Sequence, residues 1–249
     1  MTISHKIISN ISVDCVIFGF DFEKLNVLLV ERELVDEKSG RILIKDFTLT
    51  GYHIFEDEDI DNAAYRILKD LTGFENIYLE QFTVFGKTDR VSNEKDQIWL
   101  NYLNQGFSER ILTVGYFSLI DSTKVTLSHN DRKIHWFPID DAQNLDWAFD
   151  HKQIFIKALE VLRNKVRTEP IAFELLPERF TLTQLQKLYE AISGTPIDKR
   201  NFRKKIVQMP FIVALKEKQK GVPHKPAQLF LFSREVFEKT KKERLGFLF

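Results

Sequence analysis

The sequence is poor in several features that mark particular classes of protein. It has a single cysteine, Cys15, which excludes a disulfide within the chain and a cysteine-rich metal site and is typical of a reducing cytosol. No window reaches the roughly 18 consecutive apolar residues of a membrane span. The start, MTISHKIISN, lacks the apolar core of a signal peptide. We therefore expect a cytoplasmic protein without membrane contact.

The chain also lacks a net charge, although its charge is unevenly distributed. Its 249 residues contain 36 Lys+Arg and 36 Asp+Glu. Thr168–Phe249 contains 16 basic and 9 acidic residues, net +7, so the preceding part carries net −7. Binding of nucleic-acid phosphates requires clustered Lys and Arg. We therefore predict two domains, 1–167 and 168–249, the second of which binds nucleic acid; a basic tail on an ordinary enzyme is the alternative.

Residues 1–167 have the pattern of an α+β sandwich. Strand-like runs at 13–20 and 25–32 flank a turn, and further runs begin at 77, 111 and 133. A closing helix is predicted over Asp150–Arg167. An earlier helix is predicted between 56 and 74, with Asp59 as its N-cap and Gly73 as its stop. Its apolar positions at helical spacing are Ile60, Ala64, Ile67, Leu68 and Leu71.

Residues 168–249 have the pattern of a winged helix-turn-helix. Thr181 or Thr183 can cap a helix that runs to Ile192, and a glycine turn follows it. A second helix extends to Met209, and two strand-like pieces within 211–232 enclose a lysine-rich loop. A basic helix after a short turn is the arrangement that enters the major groove of DNA.

Candidate DNA contacts lie on this second helix, at the start of the first helix and on the wing. Arg200, Asn201 and Arg203 are candidates for base edges, because Arg pairs with guanine and Asn with adenine in bidentate fashion. A solvated helix face is the alternative explanation of the charge. The lysines are better suited to contacts with the DNA backbone. The other candidates are Thr181, Thr183, Lys199, Lys204, Lys205, Lys218, Lys220, His224 and Lys225.

The helix between 56 and 74 resembles the signature of the Nudix fold, Gly-x5-Glu-x7-Arg-Glu-U-x-Glu-Glu-x-Gly-U, where U is apolar. With Gly73 as the closing glycine, four further positions match: Glu58, Arg66, Leu68 and Phe74. The opening glycine is replaced by Tyr52, and the three glutamates that hold Mg²⁺ in Nudix hydrolases are replaced by Ile67, Asp70 and Leu71. A small hard cation needs several oxygen ligands. We therefore expect no catalytic residues, no metal and no cofactor; Asp70 would be a solvated residue, and Arg66 and Glu58 an ion pair.

A Nudix-like pocket without its metal favours a neutral ligand, because a diphosphate would lose water without gaining a divalent partner. Sugars are usually held by polar side chains and an aromatic face. The stretch 90–110, with Trp99 and Tyr102, could be a lid, a dimer contact or a loop. Candidate ligand residues, for each of which a structural role is the alternative, are Glu31, Arg32, Lys45, Asp46, Thr48, Thr50, Tyr52 and Tyr116.

The second domain resembles the winged helix of the Nudix-related transcriptional regulators called NrtR, through LLPERFTLTQLQKLYEAI, DKRNFRKK and GVPHKPAQLF. FGKTDR, VGYFSLI and FDHKQIFIKALEVLR are similar to that family's linking motifs. The resemblance implies a homodimeric repressor of operator DNA that senses a metabolite. One branch responds to ADP-ribose. Other branches, with degenerate Nudix boxes like this one, control sugar catabolism. Among these, the chain looks most like the arabinose regulators called AraR, which implies a sugar effector, L-arabinose first. A Nudix hydrolase with an added nucleic-acid domain and an RNA-binding module are the rival hypotheses.

Overall fold

The computed structural model describes residues 6–73, 78–103, 110–122, 133–223 and 225–241. These residues fall into two compact units. One takes its residues from Met1–Phe18, Asn26–Leu119 and Val125–Val161, and the other from Gly19–Leu25, Ile120–Lys124 and Leu162–Phe249. No helix in these described ranges is long and apolar enough to cross a membrane.

The first half of the chain is built on a seven-stranded sheet. The five strands that lie side by side follow the order β3, β2, β1, β6 and β5; β4 also pairs with β1, and β7 with β2. Apolar residues fill almost the whole of Val13–Phe20 and Leu25–Val30, as expected of central strands that are covered on both faces. The strands are β1 (Ile7–Phe20), β2 (Leu25–Val35), β3 (Ile42–Thr48), β4 (Thr50–Phe55), β5 (Tyr78–Phe85), β6 (Leu112–Asp121) and β7 (Ile134–Pro138).

Helix α1 (Ile60–Thr72) confirms the predicted helix and both of its ends. The side chain of Asp59 accepts a hydrogen bond from the backbone N–H of Asn62, and Gly73 ends the helix at φ 75°. Left-handed backbone of this kind favours glycine, which has no Cβ to clash. Ile60 was expected on the apolar side, but 38% of it is exposed, because the N-terminal residue of the helix lies beyond the edge of the core.

Three further helices lie among the described residues of this half. The stretch 90–110 is not simply a loop, because its middle forms α2 (Glu94–Leu103). A short helix, α3 (Ile139–Ala142), follows β7. The predicted helix near the end of this half is confirmed as α4 (His151–Lys165), which lies one residue inside the predicted start and two inside the predicted end.

The predicted winged helix is also confirmed. After a 3-10 helix over Pro170–Leu175 come α5 (Leu182–Ser193), α6 (Lys199–Ile206), the hairpin β8 (Ile212–Lys218) and β9 (Gln228–Phe232), and α7 (Arg234–Lys241). Thr181 caps α5 in a capping box with Gln184, and Gly194 ends it at φ 71°. Helix α6 is shorter than the predicted helix, which was expected to run from Pro196 or Ile197 to Met209. It begins only at Lys199, because the carboxylate of Asp198 caps it by accepting from the Asn201 N–H, and it ends at Ile206.

Candidate effector cavity and nucleic-acid interface

The Nudix-like half contains a cavity of about 590 Å³ that lies within one compact unit. This volume is in the range of pockets that hold small organic ligands, about 300–1,000 Å³. Its walls come from β1, β2, β3, β4, α2 and the start of α4. The lining comprises Ser12, Asp14, Val30, Glu31, Arg32, Glu33, Thr48, Leu49, Gly51, Tyr52, His53, Arg90, Val91, Trp99, Leu100, Leu103, Ile111, Lys133, Phe149 and His151.

A buried arginine centre lies on one wall. The register of β2 and β3 sets Arg32 opposite Asp46, and the guanidinium donates from Nε and Nη2 to that carboxylate, each at 2.7 Å. Nη2 also donates to Asp96 at 2.8 Å. Burial acts to lower the pKa of Arg32, but the two carboxylates outweigh it and leave the pKa raised, so the guanidinium stays charged. The guanidinium carbon lies 5.1 Å from the ring centroid of Trp99 and 4.7 Å from that of Phe149.

A second polar network lies at the base of the cavity. Arg90 donates to both oxygens of Asp150, at 2.8 and 3.1 Å, and lies 3.7 Å from Asp14. Asp14 also accepts from Thr113 at 2.8 Å. Gly51 lies beside it, and a Cβ there would lie 2.0 Å from the Asp14 carboxylate and would therefore displace it. The network therefore depends on a close backbone approach as well as on ion pairs.

His151 joins this network in its neutral form. Its Nδ1 accepts the backbone N–H of Leu49 at 3.0 Å, so the ring proton must lie on Nε2, which faces Asp14 at 3.5 Å. The hydroxyl of Thr48 lies 2.9 Å from the same Nδ1. Burial lowers the pKa of His151, and it outweighs the raising effect of Asp14. The imidazole is therefore an uncharged structural acceptor at the start of α4.

The charges in the lining balance. Three acids and three bases line the cavity: Asp14, Glu31, Glu33, Arg32, Arg90 and Lys133. Each base has an acidic partner; Lys133, for example, lies 2.5 Å from Glu33 and 3.4 Å from Glu31. Glu31 also lies 3.1 Å from Nε2 of His135. Among the described residues, the cavity lining consequently has no surplus of positive charge with which to neutralise a multiply charged anion.

The structure brings four of the eight sequence-predicted ligand residues to the cavity lining: Glu31, Arg32, Thr48 and Tyr52. Lys45 lies outside it, with its exposed amine 3.9 Å from Glu31. Asp46 is fully engaged by Arg32 and by Lys95 at 2.6 Å. Thr50 is wholly buried on β4, and Tyr116 is buried on β6 with its hydroxyl donating to Asp61.

Sequence reasoning missed several lining residues. Trp99, Arg90, Phe149 and His151 come from stretches with no strand alternation, so no face could be assigned to them before the tertiary structure. Asp14 is the exception, since a charged residue inside the apolar run VDCVIFGF is itself a signal of a buried polar site.

The described residues at the Nudix signature positions make structural contacts or face solvent. Arg66 donates to Glu58 from Nε at 2.8 Å and from Nη2 at 2.5 Å, and Nη2 also donates to the His53 carbonyl at 3.0 Å. Ile67 is 1% exposed and therefore packs in the core, whereas Asp70 is exposed. The side chain of Leu71 and the whole of Phe74 lie outside the described residues. One engaged glutamate and one solvated aspartate do not fit the several oxygen ligands that Mg²⁺ requires.

The winged-helix half presents one strongly basic helix to solvent. Phe202 and Ile206 of α6 are buried against a core that includes Leu185, Leu188 and Ile192. The sequence-predicted contacts on the remaining faces of α6 are all exposed: Lys199, Arg200, Asn201, Arg203, Lys204 and Lys205. Positions four apart share one helix face, so the apolar pair leaves the basic side chains outward.

The remaining predicted DNA contacts lie in three different settings. Lys218 at the end of β8, Lys220 and Lys225 are exposed on the wing, and His224 lies outside the described residues. Thr183 is exposed and accepts a hydrogen bond from Nη2 of Arg203 at 3.2 Å. Thr181 is 3% exposed and its hydroxyl is occupied by the capping box, which gives it a structural role at the start of α5.

Known proteins match this chain over both halves. The NUDIX domain family matches residues 9–158, and the NrtR DNA-binding winged helix domain matches residues 172–232. The chain is 30% identical over 229 residues to the ADPR responsive transcriptional repressor NtrR of Acinetobacter baylyi. The matched region covers 91% of this chain and 83% of that protein.

Two solved structures of Shewanella oneidensis NrtR are also similar to it. The complex with a 27mer DNA has a TM-score of 0.71 at 26% identity and covers 92% of this chain and 95% of that one. The second has a TM-score of 0.67 at 26% identity, with coverages of 90% and 94%.

A Nudix domain with a ligand-sized cavity, joined to a winged helix with an exposed basic helix, defines a class of transcriptional regulators. The chain belongs to the NrtR-like family of this class. The matched repressor of A. baylyi is ADP-ribose responsive by name. The comparisons therefore show the NrtR-like family and do not show the arabinose-responsive branch that the sequence led us to expect.

Proposed function

We propose that this chain is a transcriptional repressor that binds operator DNA as a homodimer and is regulated by a small molecule in the cavity of its Nudix domain. The observation that carries the proposal is the basic helix α6, in which five of eight residues are Lys or Arg and all five are exposed. Two such helices related by a dimer axis would occupy successive major-groove half-sites.

ADP-ribose is the leading effector candidate. The matched repressor of A. baylyi responds to it by name, and that match extends along 91% of this chain. The cavity of about 590 Å³ is large enough that a free pentose would fill only part of it. We expect ADP-ribose binding to change operator affinity roughly 5- to 150-fold, the usual range of coupling between two sites.

An uncharged sugar, with L-arabinose first, is the second candidate, and the balanced charge of the cavity favours it. Arg90 is paired with Asp150, and Lys133 with Glu33, so neither is free to neutralise a diphosphate. Desolvating two phosphate charges without a cation is unfavourable. Sugar hydroxyls could instead exchange hydrogen bonds with Glu31 and Thr48, and Tyr52 could offer an aromatic face.

We further propose that the protein does not hydrolyse its ligand. The helix that supplies metal-binding glutamates in Nudix hydrolases has Ile67 buried in the core and Asp70 in solvent. A hydrolase would release phosphate products from ADP-ribose in the presence of Mg²⁺, and we expect none to accumulate.

The test is calorimetric titration of the full chain with ADP-ribose and with L-arabinose, followed by operator binding with each at saturation. A duplex from the DNA upstream of the protein's own gene serves as operator, and a shuffled duplex as control. Selective binding of one ligand that also changes operator affinity supports the proposal and identifies the effector. Equal affinity for operator and shuffled duplex would contradict repressor function, and a monomer in sedimentation equilibrium would contradict the dimer.

A further inference from the structure

One nitrogen of the buried arginine centre has no partner among the described residues. Arg32 is 3% exposed, and its Nε and Nη2 are engaged by Asp46 and Asp96. Nη1 is buried and donates to none of the residues that the structure describes. A buried charged donor without a partner is rare in folded proteins, because its lost hydration is not replaced. Arg32 lines the cavity, so a bound molecule is the natural source of the missing acceptor.

We infer that Arg32 determines effector specificity by donating a hydrogen bond from Nη1 to an uncharged acceptor atom of the ligand. The inference rests on the proposed function, since it assumes that the cavity holds the effector. It adds the chemical identity of the atom that Arg32 recognises: a hydroxyl oxygen, a sugar ring oxygen, a carbonyl oxygen or a heterocyclic nitrogen, and not a phosphate oxygen.

The charge around Arg32 is the reason for an uncharged acceptor. Its two carboxylate partners, Asp46 and Asp96, are 1% exposed. Lys95 contributes the second cation, 2.6 Å from Asp46. Lys95 also pairs with Asp146, a carboxylate that is 69% exposed, at 3.0 Å. The two cations are therefore balanced by the two buried carboxylates alone, and Asp146 adds a further negative group at the edge of this wall. An anion at Nη1 would give the buried cluster a net negative charge, whereas a neutral oxygen would satisfy the donor without adding one.

The surroundings of Arg32 hold the guanidinium in one orientation. Its plane has Trp99 and Phe149 nearby, with centroid distances of 5.1 and 4.7 Å. Asp96 accepts from Arg32 and also from the backbone N–H of Phe149 at 3.1 Å, so one carboxylate fixes both. A donor fixed in this way selects ligands by geometry. In ADP-ribose the matching acceptor would be a ribose or adenine atom, and in L-arabinose a hydroxyl or the ring oxygen.

Arg32→Lys tests the inference, because lysine keeps the positive charge but lacks the planar fork that leaves Nη1 for the ligand. Arg66→Lys is the matched control, since Arg66 also pairs with a carboxylate, Glu58, but does not line the cavity. Wild type and both variants are titrated with ADP-ribose, L-arabinose and inorganic pyrophosphate, and operator binding is measured for each.

We expect Arg32→Lys to lose at least about tenfold in affinity for the probe that binds the wild type, while Arg66→Lys stays within about twofold. Operator binding without ligand should survive in both variants. The inference would be overturned if Arg32→Lys bound the probe with wild-type affinity. It would also be overturned if the wild type bound operator but neither ADP-ribose nor L-arabinose. Either result would leave the repressor assignment intact. Loss of operator recognition by the wild type is instead a failure of the proposed function.

Pyrophosphate addresses the charge of the acceptor directly. Wild-type binding of pyrophosphate that Arg32→Lys weakens would show that the arginine recognises an anion, contrary to the inference. If Arg32→Lys does not fold, a crystal structure of the wild type with its bound probe answers the same question. An uncharged ligand atom within hydrogen-bond distance of Arg32 Nη1 is expected; a phosphate oxygen there, or no ligand atom at all, overturns the inference.

Discussion

The guanidinium carbon of Arg32 lies 4.7 Å from the ring centroid of Phe149, a residue whose backbone adopts a φ of 52°. Left-handed backbone costs an L-residue with a side chain roughly 1–2 kcal/mol. The cost is offset at this position because Asp96 accepts the Phe149 N–H while it pairs with Arg32. Non-glycine residues in such conformations cluster at functional sites. The strain at Phe149 accordingly coincides with the wall of the cavity.

Replacing Phe149 separates the contribution of its ring from the cost of its backbone. Phe149→Ala removes the ring and keeps the strain, whereas Phe149→Gly removes both. We expect Phe149→Gly to be more stable than Phe149→Ala by about 1 kcal/mol, the reverse of the usual order of these residues. Denaturant unfolding of the two variants measures the difference. A glycine variant clearly less stable than the alanine variant would show that the backbone at 149 is not strained.

Stability should fall as the solution is acidified, in part through His151. Burial lowers its native pKa, so the native imidazole stays neutral while the unfolded one takes up a proton below about pH 6.5. The unfolded state then binds more protons, and the free energy of unfolding falls with decreasing pH by up to about 1.4 kcal/mol per pH unit until the native pKa is reached. His53, whose pKa is also lowered by burial, acts in the same direction.

His151→Asn should reduce this pH dependence, because asparagine keeps an acceptor near the Leu49 N–H but does not titrate. The free energy of unfolding is compared at pH 7.5, 6.5 and 5.5. His135→Asn, at an exposed imidazole, is the control for loss of a histidine. An undiminished dependence in His151→Asn would rule out the buried neutral imidazole as a source.

Thr181 is expected to contribute to stability and not to DNA contact. Its hydroxyl accepts from the Gln184 N–H at 3.1 Å and caps α5. Loss of a helix cap costs about 0.5–2 kcal/mol, so Thr181→Ala should lower the free energy of unfolding by that amount and leave operator affinity per folded molecule unchanged. Thr183→Ala, at an exposed residue of the same turn, is the stability control. Equal stability of the two variants would contradict the capping role.

Arg203 and Lys218 are expected to act differently on DNA. Arg203→Ala should weaken operator binding by roughly 1–3 kcal/mol with a smaller loss on shuffled DNA, because arginine on a recognition helix reads base edges. Lys218→Ala, at the end of β8, should weaken both duplexes alike and reduce the slope of log K against log salt by about one. Anisotropy titrations across several salt concentrations measure both effects. The same losses on both duplexes for both variants would remove this division of roles.

Local patterns along the chain were sufficient for much of the fold. Asp59 and Gly73 define the ends of α1 through their own side-chain and backbone chemistry. Thr181, one of the two caps that the sequence allowed, defines the start of α5. The excess of Lys and Arg after residue 167 indicated the nucleic-acid interface. Each of these signals lies within a few residues or in bulk composition, and for that reason it can be read without knowing distant contacts.

Position in the cavity could not be read in this way. Glu31, Arg32, Thr48 and Tyr52 line it, while Asp46 and Tyr116 were expected there and are instead occupied by partners on other elements. The failure has a simple cause: strand alternation gives the face of a residue, but the partner that occupies its polar atoms comes from elsewhere in the chain.

The sequence by itself determined two domain patterns, both ends of α1, the start of α5 and the replacement of the metal-binding glutamates. Only the tertiary structure decided that Arg32 Nη1 would be buried without a partner among the described residues. Asp46 reaches Arg32 through the register of β2 and β3, whereas Asp96 and Phe149 come from positions 64 and 117 residues further along the chain. Charge balance at a buried site depends on which groups meet there, and chain order does not specify that meeting until the sheet and helices have packed.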